Sequence, residues 1–262
     1  MSDETRKQPA DEEETLEEAT LLSHLVELRS RLLKIAAAVL LVFFALVPWS
    51  RDIFALVSEP LRDVLPGNAM IATAVASPLL TPFKLTFFVA LFIAMPIVLY
   101  QVWAFVAPGL YKKEKRFAMP LLASSIMLFY LGIAFAFFVV FPLMFTFFTA
   151  VAPDGVEVQT DISLFLDFIT TIVFAFGIAF EVPIATVLIV WTGLISPGKL
   201  GRARPYVFLS AFIIGMLLTP PDIISQTLLA VPVYLLYEVG ILMARIFAIR
   251  EQEPGEEAQP AE

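Results

Sequence analysis

The chain has 262 residues, 59% of them hydrophobic, with 25 phenylalanines and a formal net charge of −8. A soluble globular protein is about 45–50% apolar, so this composition, with a mean hydropathy of +0.85, exceeds what a soluble core holds. The lack of cysteine excludes disulfides and thiolate chemistry, a single histidine (His24) excludes a histidine metal cluster or catalytic triad, and no G-x-x-x-x-G-K-[ST] phosphate loop is present.

The charge sits mostly at the ends. Residues 1–20 and 248–262 lack aromatics, are rich in Glu, Gln, Pro and Ala, and hold 13 of the 25 acids. Such segments cannot bury enough apolar surface to fold, so both tails are predicted to be disordered. Without those acids, and without Arg6 and Lys7, the rest of the chain, Arg250 included, carries +3. Residues 21–247 form one membrane domain. The first apolar run follows a charged tail and lacks a small-residue cleavage site, so it is expected to stay as an anchor.

A hydrocarbon core of about 30 Å needs about 20 apolar residues as helix. Six runs qualify: Leu32–Pro48, Leu85–Val106, Phe117–Thr149, Phe165–Leu194, Tyr206–Leu218 and Ile223–Met243. The fifth is the shortest, and as a helix it would reach only about 20 Å. The long link Ser50–Lys84, with Pro60, Pro66, Pro78 and Pro82 among apolar residues, is expected to fold back as short helices capping the bundle. Pro96, Pro142, Pro183 and Pro232 lie within spans, where each removes a backbone hydrogen bond and bends the helix. Lys and Arg stay on the cytoplasmic side of short loops. With both termini inside, 14 of the 17 fall in the cytoplasm and only Arg51, Arg62 and Lys84 outside. The expected fold is an all-α integral membrane protein with six transmembrane helices, N-in and C-in, and cup-shaped around a concave face.

The segment His24-Leu25-Val26-Glu27-Leu28-Arg29-Ser30-Arg31-Leu32 resembles the H-L-x-E-L-R-x-R-L opening of the TatC family. In the same order follow Ser58-Glu59-Pro60-Leu61, Phe83-Lys84-Leu85, and Tyr100 to Tyr111 reading YQVWAFVAPGLY. Phe180-Glu181-Val182-Pro183, Arg204-Pro205-Tyr206 and Leu218-Thr219-Pro220-Pro221-Asp222 with Gln226 complete the pattern, which covers about Leu21 to Phe247. The resemblance implies a core receptor subunit of the twin-arginine translocation system in the bacterial cytoplasmic membrane. It implies binding of twin-arginine signal peptides together with TatB, recruitment of TatA, and transport of folded proteins driven by the proton-motive force. It also implies homo-oligomers within a TatBC complex, with no cofactor, no nucleic-acid partner and no covalent chemistry.

Two adjacent guanidiniums are matched by carboxylates through charge-assisted, often bidentate hydrogen bonds. Glu27, at the start of the first span, and Glu114, between spans two and three, are the acids in place for this. The plainer alternative for Glu27 is an i,i+4 pair with Arg31, worth about 0.2–0.5 kcal/mol. For Glu114 it is a solvated acid among Lys112, Lys113, Lys115 and Arg116, whose charge would repel an arginine pair. By resemblance Phe105 and Arg29 join this site, while Thr219, Gln226 and Met216 mark where a partner helix docks.

Glu181 stands near the middle of an otherwise apolar span, where an ionised carboxylate costs at least about 2.5–3.5 kcal/mol. It is either a polar contact inside the concavity or a neutral acid hydrogen-bonded between helices. Glu238, in the sixth span, lies two turns from Arg245. Asp222 reads as a cap for the sixth helix, and Pro60 as a residue shaping the outer cap. Two rival readings remain: a proton-coupled solute carrier titrating Glu181, and an intramembrane protease, for which no nucleophile–base pair or paired intramembrane aspartates are present.

Overall fold

The computed structural model describes residues 8–62, 70–106, 118–151, 160–219 and 222–252. Their elements in chain order are α1 (Gln8–Leu46), a 3-10 turn (Val47–Trp49), α2 (Ser50–Arg62), β1 (Met70–Ile71), α3 (Ser77–Val106) and α4 (Ala118–Phe135). A π-helical turn (Ala136–Val140), α5 (Phe141–Ala150), β2 (Thr160–Asp161), α6 (Ile162–Ala179), α7 (Val182–Trp191), α8 (Pro197–Leu218) and α9 (Ile223–Gln252) complete them. Six stretches are long and apolar enough to cross a membrane, because α4 and α5 act as one span and α6 and α7 as another. A helix satisfies its backbone internally, which is what an apolar sequence in lipid requires.

Some boundaries differ from the hydropathy pattern. α8 runs 22 residues from Pro197, where Tyr206–Leu218 was expected. Lys199, Arg202 and Arg204 interrupt the apolar run, but long basic side chains are accommodated at a span's end by reaching toward the headgroups. α1 begins at Gln8, inside the tail predicted to be disordered; its Glu- and Ala-rich sequence has high helix propensity. The link Ser50–Lys84 contributes α2, which lies on α3, and the first turns of α3 itself.

α1 packs along α3, α4 along α6, and α7 and α8 against α9. Without water to drive burial, such contacts rest on close packing, and phenylalanine supplies most of it. Phe141, Phe145, Phe165 and Phe176 are buried in one cluster with Ile169, Ile172, Met144 and Leu229. Their rings step from α5 to α6, with Phe145 and Phe165 centred 5.7 Å apart and Phe141 and Phe145 6.3 Å apart. A second cluster joins Trp103, Leu121, Ile184, Val187, Trp191 and Ala244 near the opposite end of the bundle. The π turn precedes Pro142, whose missing N–H removes one rung of the ladder. The helix of the fourth span is interrupted at Phe180–Glu181, just before buried Pro183, while both residues keep right-handed helical dihedrals.

At one end of the bundle the chain closes into a cap. β1 and β2 pair in parallel, Met70 opposite Thr160 and Ile71 opposite Asp161. Phe54 of α2 is buried against Leu85 and Leu166. α1 starts and α9 ends at the other end, called the rim below.

Candidate functional site

At the rim, α1 meets the last turns of α3. Arg31 donates to Glu27 Oε1 from Nε at 2.9 Å and from Nη2 at 2.5 Å. The same guanidinium reaches across to the Ala104 carbonyl at 2.9 Å and to Gln101 Oε1 at 3.4 Å. One arginine therefore ties α1 to α3, and the i,i+4 pair is formed. The Glu27 side chain stays 36% exposed, and both bonds use Oε1, leaving Oε2 without a hydrogen-bond partner among the described residues. His24 stacks on Phe105 with ring centroids 4.7 Å apart. Arg29, on the other side of α1, is exposed. Glu114 lies outside the described residues.

Deeper in the bundle, the break between α6 and α7 places Glu181 where the helical backbone is interrupted. Ser125 of α4 donates to Glu181 Oε2, and Oε1 is buried with no partner among the described residues. The break is held from behind by α9: a Cβ on Gly240 would lie 2.1 Å from Thr186 Oγ1 and 3.0 Å from Pro183 Cα. Only glycine lets α9 approach that closely. Beside the break, in the half of the bundle toward the cap, a groove of about 430 Å³ runs between α3, α6, α8 and α9. Phe88, Phe174, Ile178, Val182, Ile214 and Val233 line it, with Thr170 and Thr171 as its polar members. Glu181 does not line this groove. Its carboxylate is held by α4.

The α8–α9 pair carries the remaining expected residues. Thr219 is buried and donates to the Gly215 carbonyl of its own helix at 2.9 Å. Met216 is exposed on the outer face with Ile213 and Leu217, so Thr219 and Met216 do not share a surface. Gln226 packs its backbone against Gly215, where a Cβ would meet the Gln226 carbonyl oxygen at 3.6 Å. Asp222 caps α9 by accepting from the Ser225 amide at 2.7 Å. Glu238 pairs with Arg204 of α8: Nε lies 2.7 Å from Oε1, and Nη2 donates to Oε2 at 2.7 Å. Arg245, two turns away on α9, is not its partner.

Asp161, absent from the sequence expectations, organises the cap. Its Oδ1 accepts from the amides of Ser163 (2.8 Å) and Leu164 (3.2 Å), and Oδ2 from the Thr73 amide (2.9 Å) and hydroxyl (2.6 Å). Those bonds, the Thr73 hydroxyl first, hold its carboxyl down at about 2. Ser163 donates onward to Ser77 at 2.7 Å. An Asp followed two residues later by Ser before an apolar run is a helix-start signal that could have found it. Pro60 belongs to α2, but its side chain lies outside the described residues.

Fold and site define a multi-pass helical membrane protein with a capped end, an interrupted fourth span and a charged rim. Residues 23–232 match the family described as Sec-independent protein translocase protein (TatC). The chain is 59% identical over 233 residues to the TatC of Azotobacter chroococcum, covering 88% of this chain and 91% of that one. Against the TatC of Escherichia coli K12 it is 55% identical over 228 residues, covering 87% and 88%. A solved structure titled as the twin arginine translocase receptor TatC superimposes with a TM-score of 0.77 at 35% identity, covering 86% of this chain and 99% of that one. The chain belongs to the TatC family and is a subunit of a Sec-independent protein translocase.

Proposed function

We propose that this subunit is the receptor for twin-arginine signal peptides, with both termini cytoplasmic and the rim facing the cytoplasm. Glu27 carries the reading. Its Oε1 already accepts a guanidinium fork from Arg31, and the partly exposed carboxylate keeps Oε2, unpartnered among the described residues, for a ligand's guanidinium. Glu114 and Phe105 complete the pocket, Arg29 flanks it, and the apolar part of the signal peptide lies along the groove bounded by Phe88 and Ile214. TatB and TatA helices dock on the exposed α8 face around Met216, with Thr219 and Gln226 shaping that face from behind. Several copies assemble with TatB, and the proton-motive force drives passage of the folded cargo.

The test is site-specific crosslinking, in membranes containing TatB, of this protein to a precursor bearing Arg-Arg, against the same precursor bearing Lys-Lys. Glu27→Ala and Glu114→Ala variants are compared in parallel. Crosslinking that requires the arginine pair and both carboxylates supports the reading. Crosslinking indifferent to all three changes removes the assigned site.

A further inference from the structure

Toward the rim, on the outer surface of α9, a second groove of about 550 Å³ lies beside α8. Its polar members are Arg204, Glu238 and Arg245, and Leu235, Val239 and Leu242 run beside them on the same face of α9. The Glu238 carboxylate is committed to the Arg204 fork and also takes a hydrogen bond from Tyr234. Arg245 has no carboxylate within ion-pair distance among the described residues. Its guanidinium lies against α8, 3.4 Å from where a Cβ of Gly201 would stand, so it faces the groove. The groove thus holds two cations against one anion and carries a net +1.

Glu238 and Arg245 are seven residues apart, about 10 Å along a helix. Leu235, Val239 and Leu242 repeat at i, i+4 and i+7, which aligns them on one face as a track for an acyl chain. Basic pockets between transmembrane helices bind anionic headgroups. We infer that this groove binds one membrane phospholipid with a singly charged anionic headgroup, its phosphate on Arg245 and the spare N–H groups of Arg204, and a chain along Leu235–Leu242.

Native mass spectrometry of the full chain in detergent, titrated with phosphatidylglycerol or phosphatidylcholine, tests this. The expected result is preferential retention of phosphatidylglycerol. Arg245→Gln should lower it about fivefold, the effect of one membrane-surface cation. Val239→Trp fills the groove without altering charge and should lower it severalfold, while Arg202→Gln, exposed at the same end but outside the groove, should change it less than twofold. The inference is overturned by equal retention of the two lipids, by an Arg202→Gln effect equal to that of Arg245→Gln, or by no effect of Val239→Trp. Displacement by millimolar inorganic phosphate would also overturn it, because the site would then serve a free anion.

Discussion

Gly240→Ala tests the contact that places Glu181. The added methyl would lie 2.1 Å from Thr186 Oγ1 and 3.0 Å from Pro183 Cα, where carbon contacts normally sit at about 3.5–4.0 Å. Rotating Thr186 does not relieve the clash, because its hydroxyl is bonded to the Pro183 carbonyl at 2.7 Å and Pro183 Cα is backbone. α7 and α9 must therefore part. Overpacking of this kind costs about 1–3 kcal/mol, offset by about 0.5–1 kcal/mol from the better helix propensity of alanine. The net loss expected is about 1–2 kcal/mol, or about 2–8 °C in the melting temperature at about 2–4 °C per kcal/mol for a chain of this size. Thermal melting in detergent measures it, and adding Thr186→Ala should recover about half. A Gly240→Ala protein that melts with the wild type, or a double variant that recovers nothing, refutes the reasoning.

Other outcomes follow from the same geometry. Ser125→Ala leaves both Glu181 oxygens without a protein donor and should cost about 0.6–2 kcal/mol in detergent melts, the range for polar contacts between membrane helices. Glu181→Gln, which still accepts from Ser125, should cost less. Asp161 titrates at about 2 in the folded chain against 3.8 unperturbed, so its contribution to stability is whole above about pH 4 and is lost as pH falls toward 2; Asp161→Asn should show a shallower loss over that window in acid melts. Arg31→Lys replaces a fork with a point charge and should loosen the start of α1 from α3, read as faster protease cleavage near His24 with little change in overall melting. Reversing either Arg204 or Glu238 alone should lower the melting temperature, and reversing both should recover at least half of the loss.

The spans were legible because hydropathy depends only on local composition, and each run of about 20 uncharged residues has one stable form in lipid. The break at Phe180–Glu181 was not, since Pro183 announces a bend without giving its size, which depends on α9 approaching through Gly240. The ion pair of Glu238 was not legible for a related reason: Arg204 is near it only once α8 lies on α9. α8 was cut short because Lys199 and Arg202 lower the local hydropathy without breaking a helix. Lys84 likewise finds Asp167 across the α3–α6 contact, a pairing no short-range pattern reveals. At the rim, the H-L-x-E-L-R-x-R-L spacing did place Glu27 and Arg31 one turn apart, and the structure adds that Arg31 also clasps α3.

The cap has a consequence for how the protein is made. Among the described residues, Met70 pairs with Thr160 and Thr73 with Asp161, about ninety residues further along the chain. When Thr73 leaves the ribosome it has nothing to bind, and α3, α4 and α5 must all be synthesised before its acceptor exists. The cap is therefore a late event, completed as the fourth span enters the bilayer. Until then three helices wait with their ends open, and Asp161 acts as the latch that closes the first half of the molecule on the second.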